Sequence, residues 1–134
     1  MSAMGIVEPP AGYLLGMQLL AHVRDVVGRL DDEDDFVAIM LQRYAEAVAS
    51  SIGAAEAPFA RQHRALHYRI AWRNCCGCMA AFDLIGGTWP ALGPAARRAR
   101  QLLDRLARII TGVVGDDSAA PELAFEKARR RGRR

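Results

Sequence analysis

Residues 59–85 read FARQHRALHYRIAWRNCCGCMAAFDLI, and their apolar side chains recur at helical spacing along two stripes. The first stripe contains Phe59, Leu66, Ile70, Ala81, Leu84 and Ile85, and the second contains Tyr68, Trp72, Cys75, Met79 and Phe82. The stripes lie on opposite sides of one helix, because an α-helix has about 3.6 residues per turn. A surface helix covers a core with one stripe, so the other must face a further helix layer, another subunit or a ligand. We predict that the second stripe forms a subunit interface, where aromatic and Met side chains are enriched.

Three further segments show helical spacing, from about residue 11 to 30, 33 to 57 and 90 to 114. Their predicted core positions are Leu14, Met17, Leu20, Ala21, Val27 and Leu30 in the first, Val37, Met40, Leu41, Tyr44, Val48, Ile52 and Ala55 in the second, and Leu102, Leu103, Leu106, Ile109, Ile110 and Val113 in the last. The acidic run 31–35, Pro58 and the run 86–90 separate the helices, and Gly86-Gly87 opens the clearest break. The sequence predicts an all-α, antiparallel up-down-up-down four-helix bundle over residues 9–115. A flexible N-terminus (1–8) precedes it, and a basic, largely disordered C-terminal tail (116–134) follows.

Charge is distributed unevenly along the chain. The formal net charge is +3, yet residues 1–96 carry 7 Arg against 10 acidic residues, and residues 97–134 carry 11 basic against 5 acidic residues. A mildly acidic body with a basic end predicts an anionic partner, whether nucleic acid, acidic protein or membrane surface. Of these, nucleic acid is the partner that we predict.

The predicted nucleic-acid-binding residues form two sets. Arg97, Arg98, Arg100, Arg105 and Arg108 belong to the last helix, and Lys127, Arg129, Arg130, Arg131, Arg133 and Arg134 belong to the tail. Such cations bind phosphates through counterion release and do not read bases. Repetition of a weak site in an oligomer would add avidity. The alternatives are a solvated helix face that pairs with acidic residues and a tail that only aids solubility.

Cysteine usage and hydropathy predict a cytoplasmic protein without a membrane segment. The cysteines, Cys75, Cys76 and Cys78, are odd in number and clustered, which is atypical of a secreted disulfide framework. We expect no signal peptide before the first helix, because no basic region precedes an apolar run there, and no apolar run reaches the roughly 18–20 residues that cross a bilayer.

Two histidines and the cysteines raise the alternative of a metal or small-ligand site. His63 and His67 lie one helical turn apart and can share a metal. On a straight helix, however, His67 and Cys75 are about 12 Å apart, so one chain cannot close a tetrahedral site from them. We therefore predict no metal and no cofactor. The sequence contains no nucleophile elbow, HExxH, Walker A or Rossmann glycine pattern, so we predict no catalytic residue and no enzyme activity.

Part of the chain resembles a known bacterial family. Residues 42–57 (QRYAEAVASSIGAAEA), 67–71 (HYRIA) and 80–84 (AAFDL) are similar to two helices of the four-helix-bundle ribosomal-RNA intervening-sequence proteins. The accessory variability proteins of diversity-generating retroelements belong to the same family. The likeness covers about a third of the chain, and Glu56 lies where the family has Glu. The chain departs from the family at Asn74 and Gly77, where Ser and Glu are usual, and at 53–55, where Pro-Ala-Asn is usual.

The resemblance implies a fold and partners but no catalytic residues. It implies a left-handed antiparallel bundle that assembles as a homopentameric ring, a basic surface that binds RNA or DNA, and, in the retroelement branch, a reverse-transcriptase partner. The predicted function is thus a non-enzymatic, homo-oligomeric adaptor. A protein-interaction scaffold without nucleic-acid binding and a ligand- or metal-binding bundle are the alternatives.

Overall fold

The computed structural model describes residues 11–30, 36–57 and 61–114, and within these ranges the chain forms four α-helices and no strand. The helices are α1 (Ala11–Arg29), α2 (Phe36–Ala55), α3 (Arg64–Thr88) and α4 (Gly93–Val114). One-turn 3₁₀ helices at Arg61–His63 and Pro90–Leu92 precede α3 and α4. The prediction of an all-α chain with four helices is confirmed. The N-terminus (1–8) and the tail (116–134) lie outside the described residues.

Contacts near the helix ends fix the directions of the helices. Gly12, at the start of α1, lies beside Ile52 near the end of α2 and Ile109 near the end of α4. Tyr68, near the start of α3, donates a hydrogen bond to Glu56, which directly follows α2. The main contacts join α1 to α2, α2 to α3, α3 to α4 and α4 to α1. The four helices therefore form a bundle in which sequential neighbours run antiparallel.

Apolar side chains from all four helices form one continuous core. The largest fully buried side chains are Phe82, Leu19, Leu41, Ile52, Ile85, Leu103, Leu106, Ile110, Val23, Val26, Val48 and Cys75. Most predicted core positions of the second and last helices are buried, although Val113 is 51% exposed. Over the described part of the chain, no helix combines the length and apolarity that a membrane crossing requires.

The core face of α1 differs from the predicted one. Leu14 and Met17 are 45% and 43% exposed, whereas Leu15 and Leu19 are buried. Gly16 belongs to the same buried side of α1, where a Cβ atom would lie 3.4 Å from the backbone Cα of Ala49, an ordinary contact distance. The packing of this side of α1 against α2 places the neighbouring Leu15 and Leu19 in the core.

The boundary between α3 and α4 also differs from the predicted one. Gly86 and Gly87 lie inside α3, which continues to Thr88. The helix ends at Trp89, whose backbone has φ −120° and ψ 88° and whose N–H donates to the Ile85 carbonyl. The ring of Pro90 causes this ending, because proline disfavours the helical conformation in the residue before it.

Candidate functional site

The outer face of α4 carries an exposed arginine surface, formed by Arg97, Arg98, Arg105 and Arg108. All four lie within about 100° of one another around a helix of about 3.6 residues per turn. The opposite face is buried and contains Ala95, Ala96, Ala99, Leu102, Leu103, Leu106 and Ile110. Burial of that apolar face fixes the rotation of α4 and directs the four arginines away from the bundle.

Arg100 differs from the other predicted arginines of α4. Its Nη1 donates to both carboxylate oxygens of Asp83 on α3, at 3.0 and 2.9 Å, and its Nε lies 4.0 Å from an Asp104 oxygen. This ion pair links α3 to α4 and is the solvated, paired arrangement named above as the alternative. The prediction that Arg100 binds nucleic acid has no support from this geometry, because its charge is already engaged.

Arg105 and Arg108 line a cleft between α1 and α4, here called the α1/α4 cleft. Its volume is about 410 Å³, and its other lining residues are Ala11, Leu14, Leu15, Gln18 and Ile109. The lining therefore combines apolar side chains with Gln18 and two guanidinium groups. Among residues 11–30, 36–57 and 61–114, no carboxylate forms an ion pair with Arg105 or Arg108. The second predicted set, the tail cations from Lys127 to Arg134, lies outside the described residues.

The predicted subunit interface requires a correction. Tyr68, Cys75 and Phe82 are 4%, 0% and 0% exposed within the single chain, so they have almost no surface to offer another subunit. Trp72 and Met79 are partly buried against the same core. This stripe packs on the other helices of the same chain, and the physical reason is that the bundle interior lies on that side of α3.

Three members of the other stripe of α3 supply exposed apolar surface instead, although Ala81 and Ile85 of that stripe are buried. Leu66, Ile70 and Leu84 are 50%, 38% and 53% exposed. A groove of about 300 Å³ lies between α2 and α3, and its lining is Phe36, Val37, Met40, Tyr44, Gly77, Ala80, Ala81 and Leu84. We call this groove and its lining the α2/α3 apolar face.

Phe36 and Gly77 are features of this face that the sequence reasoning missed. Phe36 is 73% exposed, the largest exposed fraction among the large apolar side chains of the described helices. A Cβ atom at Gly77 would lie 2.7 Å from Cδ1 and Cε1 of Tyr44, so the groove depends on glycine at this position. Glycine in the middle of a helix is unfavourable and is the signal that could have pointed to this close packing.

The histidines and cysteines do not form a site within the described part of the chain. There, no group of three or more His, Cys, Asp or Glu side chains is close enough to hold a metal ion. Burial raises the pKa of Cys75 far above its ordinary value and that of Cys78 to about 12. Both thiols therefore stay protonated near neutral pH, where a thiol is a poor nucleophile and metal ligand.

A partly buried carboxylate lies where the start of α1 meets the end of α2. Glu56 accepts a hydrogen bond from the Tyr68 hydroxyl at 3.1 Å, and its Oε2 is buried without a partner in the described structure. Burial raises the pKa of Glu56, and the Tyr68 hydroxyl, the Arg64 guanidinium and the backbone of Tyr13 oppose the rise. This cluster connects three helices, and we assign it a structural role.

Comparison of the chain with protein-family models, curated proteins and solved structures finds no match. The candidate sites therefore depend on the geometry described above.

Proposed function

We propose that this protein is a non-enzymatic, self-associating adaptor that binds nucleic acid electrostatically. The observation that carries the proposal is the exposed arginine surface of α4, with Arg97, Arg98, Arg105 and Arg108 on one face. From Arg97 to Arg108 the helix rises about 16 Å, which is long enough to meet several successive phosphates. Arginines that contact phosphates do not read bases, so we expect binding that depends on salt and tolerates any sequence.

Self-association is the second part of the proposal, and we assign it to the α2/α3 apolar face. Soluble monomers rarely expose a contiguous large apolar patch. This face presents both protruding side chains, Phe36 and Leu84, and a groove at Gly77 that can receive them. A surface with both protruding side chains and a groove can be complementary to the same surface on a second copy of the chain. A homopentameric ring, as the family resemblance implies, is the form that we propose.

The two surfaces lie on different helices, which suits an adaptor. The arginine surface belongs to α4, whereas the apolar face belongs to α2 and α3. Self-association through one leaves the other free and multiplies weak phosphate contacts into avid binding. A reverse transcriptase, the protein partner that the resemblance implies, and a cytoplasmic location stay predictions.

Electrophoretic mobility shift with a mixed-sequence RNA, repeated across a salt series, tests nucleic-acid binding. We expect a shift at low salt. The logarithm of the binding constant should fall linearly with the logarithm of the salt concentration. In the Arg98→Gln, Arg105→Gln double variant the slope should fall by about 2, because two phosphate contacts are lost.

The matched control is the Arg24→Gln, Arg43→Gln double variant, which removes the same charge from exposed positions on α1 and α2. Its salt slope should equal that of the parent protein. Equal losses in both double variants would mean that net charge alone attracts the RNA. No shift at low salt would refute nucleic-acid binding and favour a scaffold that contacts only proteins.

A further inference from the structure

The α1/α4 cleft has a feature that phosphate binding leaves unexplained, namely the apolar side chains in its lining. Leu14 is 45% exposed and Ile109 is partly buried, and both line the cleft together with Arg105 and Arg108. A nucleic-acid backbone needs the cations but gains nothing from exposed aliphatic carbon. The natural occupant of such a cleft carries carboxylates beside large apolar side chains.

The tail contains a segment of that chemistry. Residues 122–126 read ELAFE, which places two carboxylates and two large apolar side chains within five consecutive residues. The other acidic run of the chain, residues 31–35, connects the end of α1 to the start of α2, and these two helix ends lie at the end of the bundle opposite to the cleft. Charge complementarity thus favours the tail segment as the occupant from the same chain.

The chain length allows the segment to reach the cleft. From Val114, the last residue of α4, back to Arg105 the distance is about 14 Å along the helix axis. The eight residues from Val114 to Glu122 span up to about 26 Å when extended. A segment tethered so closely has an effective concentration in the millimolar range. The segment should therefore bind the cleft of its own chain in preference to the cleft of another chain at the protein concentrations of the experiment.

We propose that residues 122–126 dock into the α1/α4 cleft of the same chain. Leu123 and Phe125 contact Leu14 and Ile109, and Glu122 and Glu126 pair with the guanidinium groups of Arg105 and Arg108. The docked segment engages these two arginines in the free chain, so a nucleic acid that contacts all four arginines of the exposed arginine surface of α4 displaces it. Only this last consequence rests on the proposed nucleic-acid binding.

Photo-crosslinking of the full-length chain tests the contact. Phe125 is replaced by p-benzoylphenylalanine, the protein is irradiated without nucleic acid, and the crosslinked peptides are mapped by mass spectrometry. We expect crosslinks to peptides that contain Leu14 or Ile109. In an equal mixture of isotopically light and heavy chains, they should join light to light and heavy to heavy. Crosslinks between light and heavy chains, or spread over the surface, would overturn the proposal.

Charge reversal supplies the second arm of the experiment. The Arg105→Glu, Arg108→Glu variant should lower the crosslink yield by about tenfold, because two ion pairs become repulsive. Adding Glu122→Arg and Glu126→Arg to that variant should restore the yield, which also shows that the chain is folded. The control, Arg97→Glu with Arg98→Glu, makes the same charge change outside the cleft and should leave the yield unchanged.

The pairing would be refuted if the crosslink yield fell equally in the control variant. It would also be refuted if the yield did not recover when both the arginines and the glutamates are reversed. The crosslink is measured without RNA. Failure of the docking contact and failure of nucleic-acid binding are therefore distinguishable.

Discussion

Two residues on the bundle show how a small atomic detail controls helix packing. Gly77 allows the ring of Tyr44 to lie directly on the backbone of α3. Glu56 keeps one carboxylate oxygen buried without a partner, at the junction of α1, α2 and α3. Gly77 is needed because there is no space for a larger side chain, so it is tested by adding a methyl group. Glu56 is removed from solvent, so it is tested by the pH dependence of stability.

Replacement of Gly77 by alanine should destabilise the protein. The added Cβ would lie 2.7 Å from two ring carbons of Tyr44, and overpacking of this kind costs about 1–3 kcal/mol. Alanine recovers about 1 kcal/mol of helix propensity, so we expect a net loss of about 1 kcal/mol in the free energy of unfolding, measured with urea. Gly28→Ala is the control, since a Cβ there meets no atom within 4 Å, and it should stabilise the chain. Stabilisation by both variants would show that the Tyr44 contact is soft.

Glu56 should make stability depend on pH in the acidic range. Burial raises its folded-state pKa above the ordinary 4.5. At pH values between the ordinary pKa of the unfolded state and the raised pKa of the folded state, the folded state binds more protons than the unfolded state. The free energy of unfolding therefore decreases as pH rises through this interval. Glu56→Gln should remove that decrease, measured by urea unfolding at a series of pH values from about 4.5 upward. Tyr68→Phe should steepen it, because the Tyr68 hydroxyl lowers the pKa of Glu56. Parallel profiles in all three proteins would contradict this assignment.

At the scale of the helix, the spacing of apolar residues is enough to predict the buried face of some helices but not of others. The inner face of α4 is unambiguous, because arginines occupy the outer face and leave one apolar side. In α1 the adjacent pairs Leu14-Leu15 and Leu19-Leu20 fit two different rotations of the helix. Packing against α2 decides between them and buries Leu15 and Leu19.

The same limit applies to α3, whose two apolar stripes were recognisable from the sequence while their roles were not. Which stripe faces the core depends on the positions of α2 and α4, and the sequence of α3 alone does not contain that information. The candidate arginines on α4 were predictable by composition. The engagement of Arg100 by Asp83 required the packing of α3 on α4.

Thiol labelling tests the rotation of α3 directly. Cys75 and Cys78 are buried with raised pKa values, whereas Cys76 is partly exposed. At neutral pH the folded protein should react with one equivalent of an alkylating reagent, at Cys76, and the protein in denaturant should react with three. Peptide mapping by mass spectrometry identifies the modified residue. Rapid labelling of Cys75 in the folded state would mean that this face of α3 is not the core.

The described helices form a bundle with two separate surfaces, an apolar one on α2 and α3 and a cationic one on α4. Under the proposed function, loss of the apolar contact should reduce the number of arginine surfaces that act together, while loss of arginines should leave assembly intact. The two kinds of variant should therefore change assembly and RNA binding in different combinations.

Leu84→Glu should lower the molar mass of the particle in light scattering, because it places a charge in the apolar contact. Val113→Glu is the matched control, since the two side chains are 53% and 51% exposed and both lie on helices. The lost assembly should weaken RNA binding by about a hundredfold at low salt, the lower end of typical avidity gains. Arg98→Gln with Arg105→Gln should weaken RNA binding at unchanged molar mass. An equal fall in mass in Leu84→Glu and Val113→Glu, or in neither, would show that the α2/α3 apolar face is not where the subunits meet.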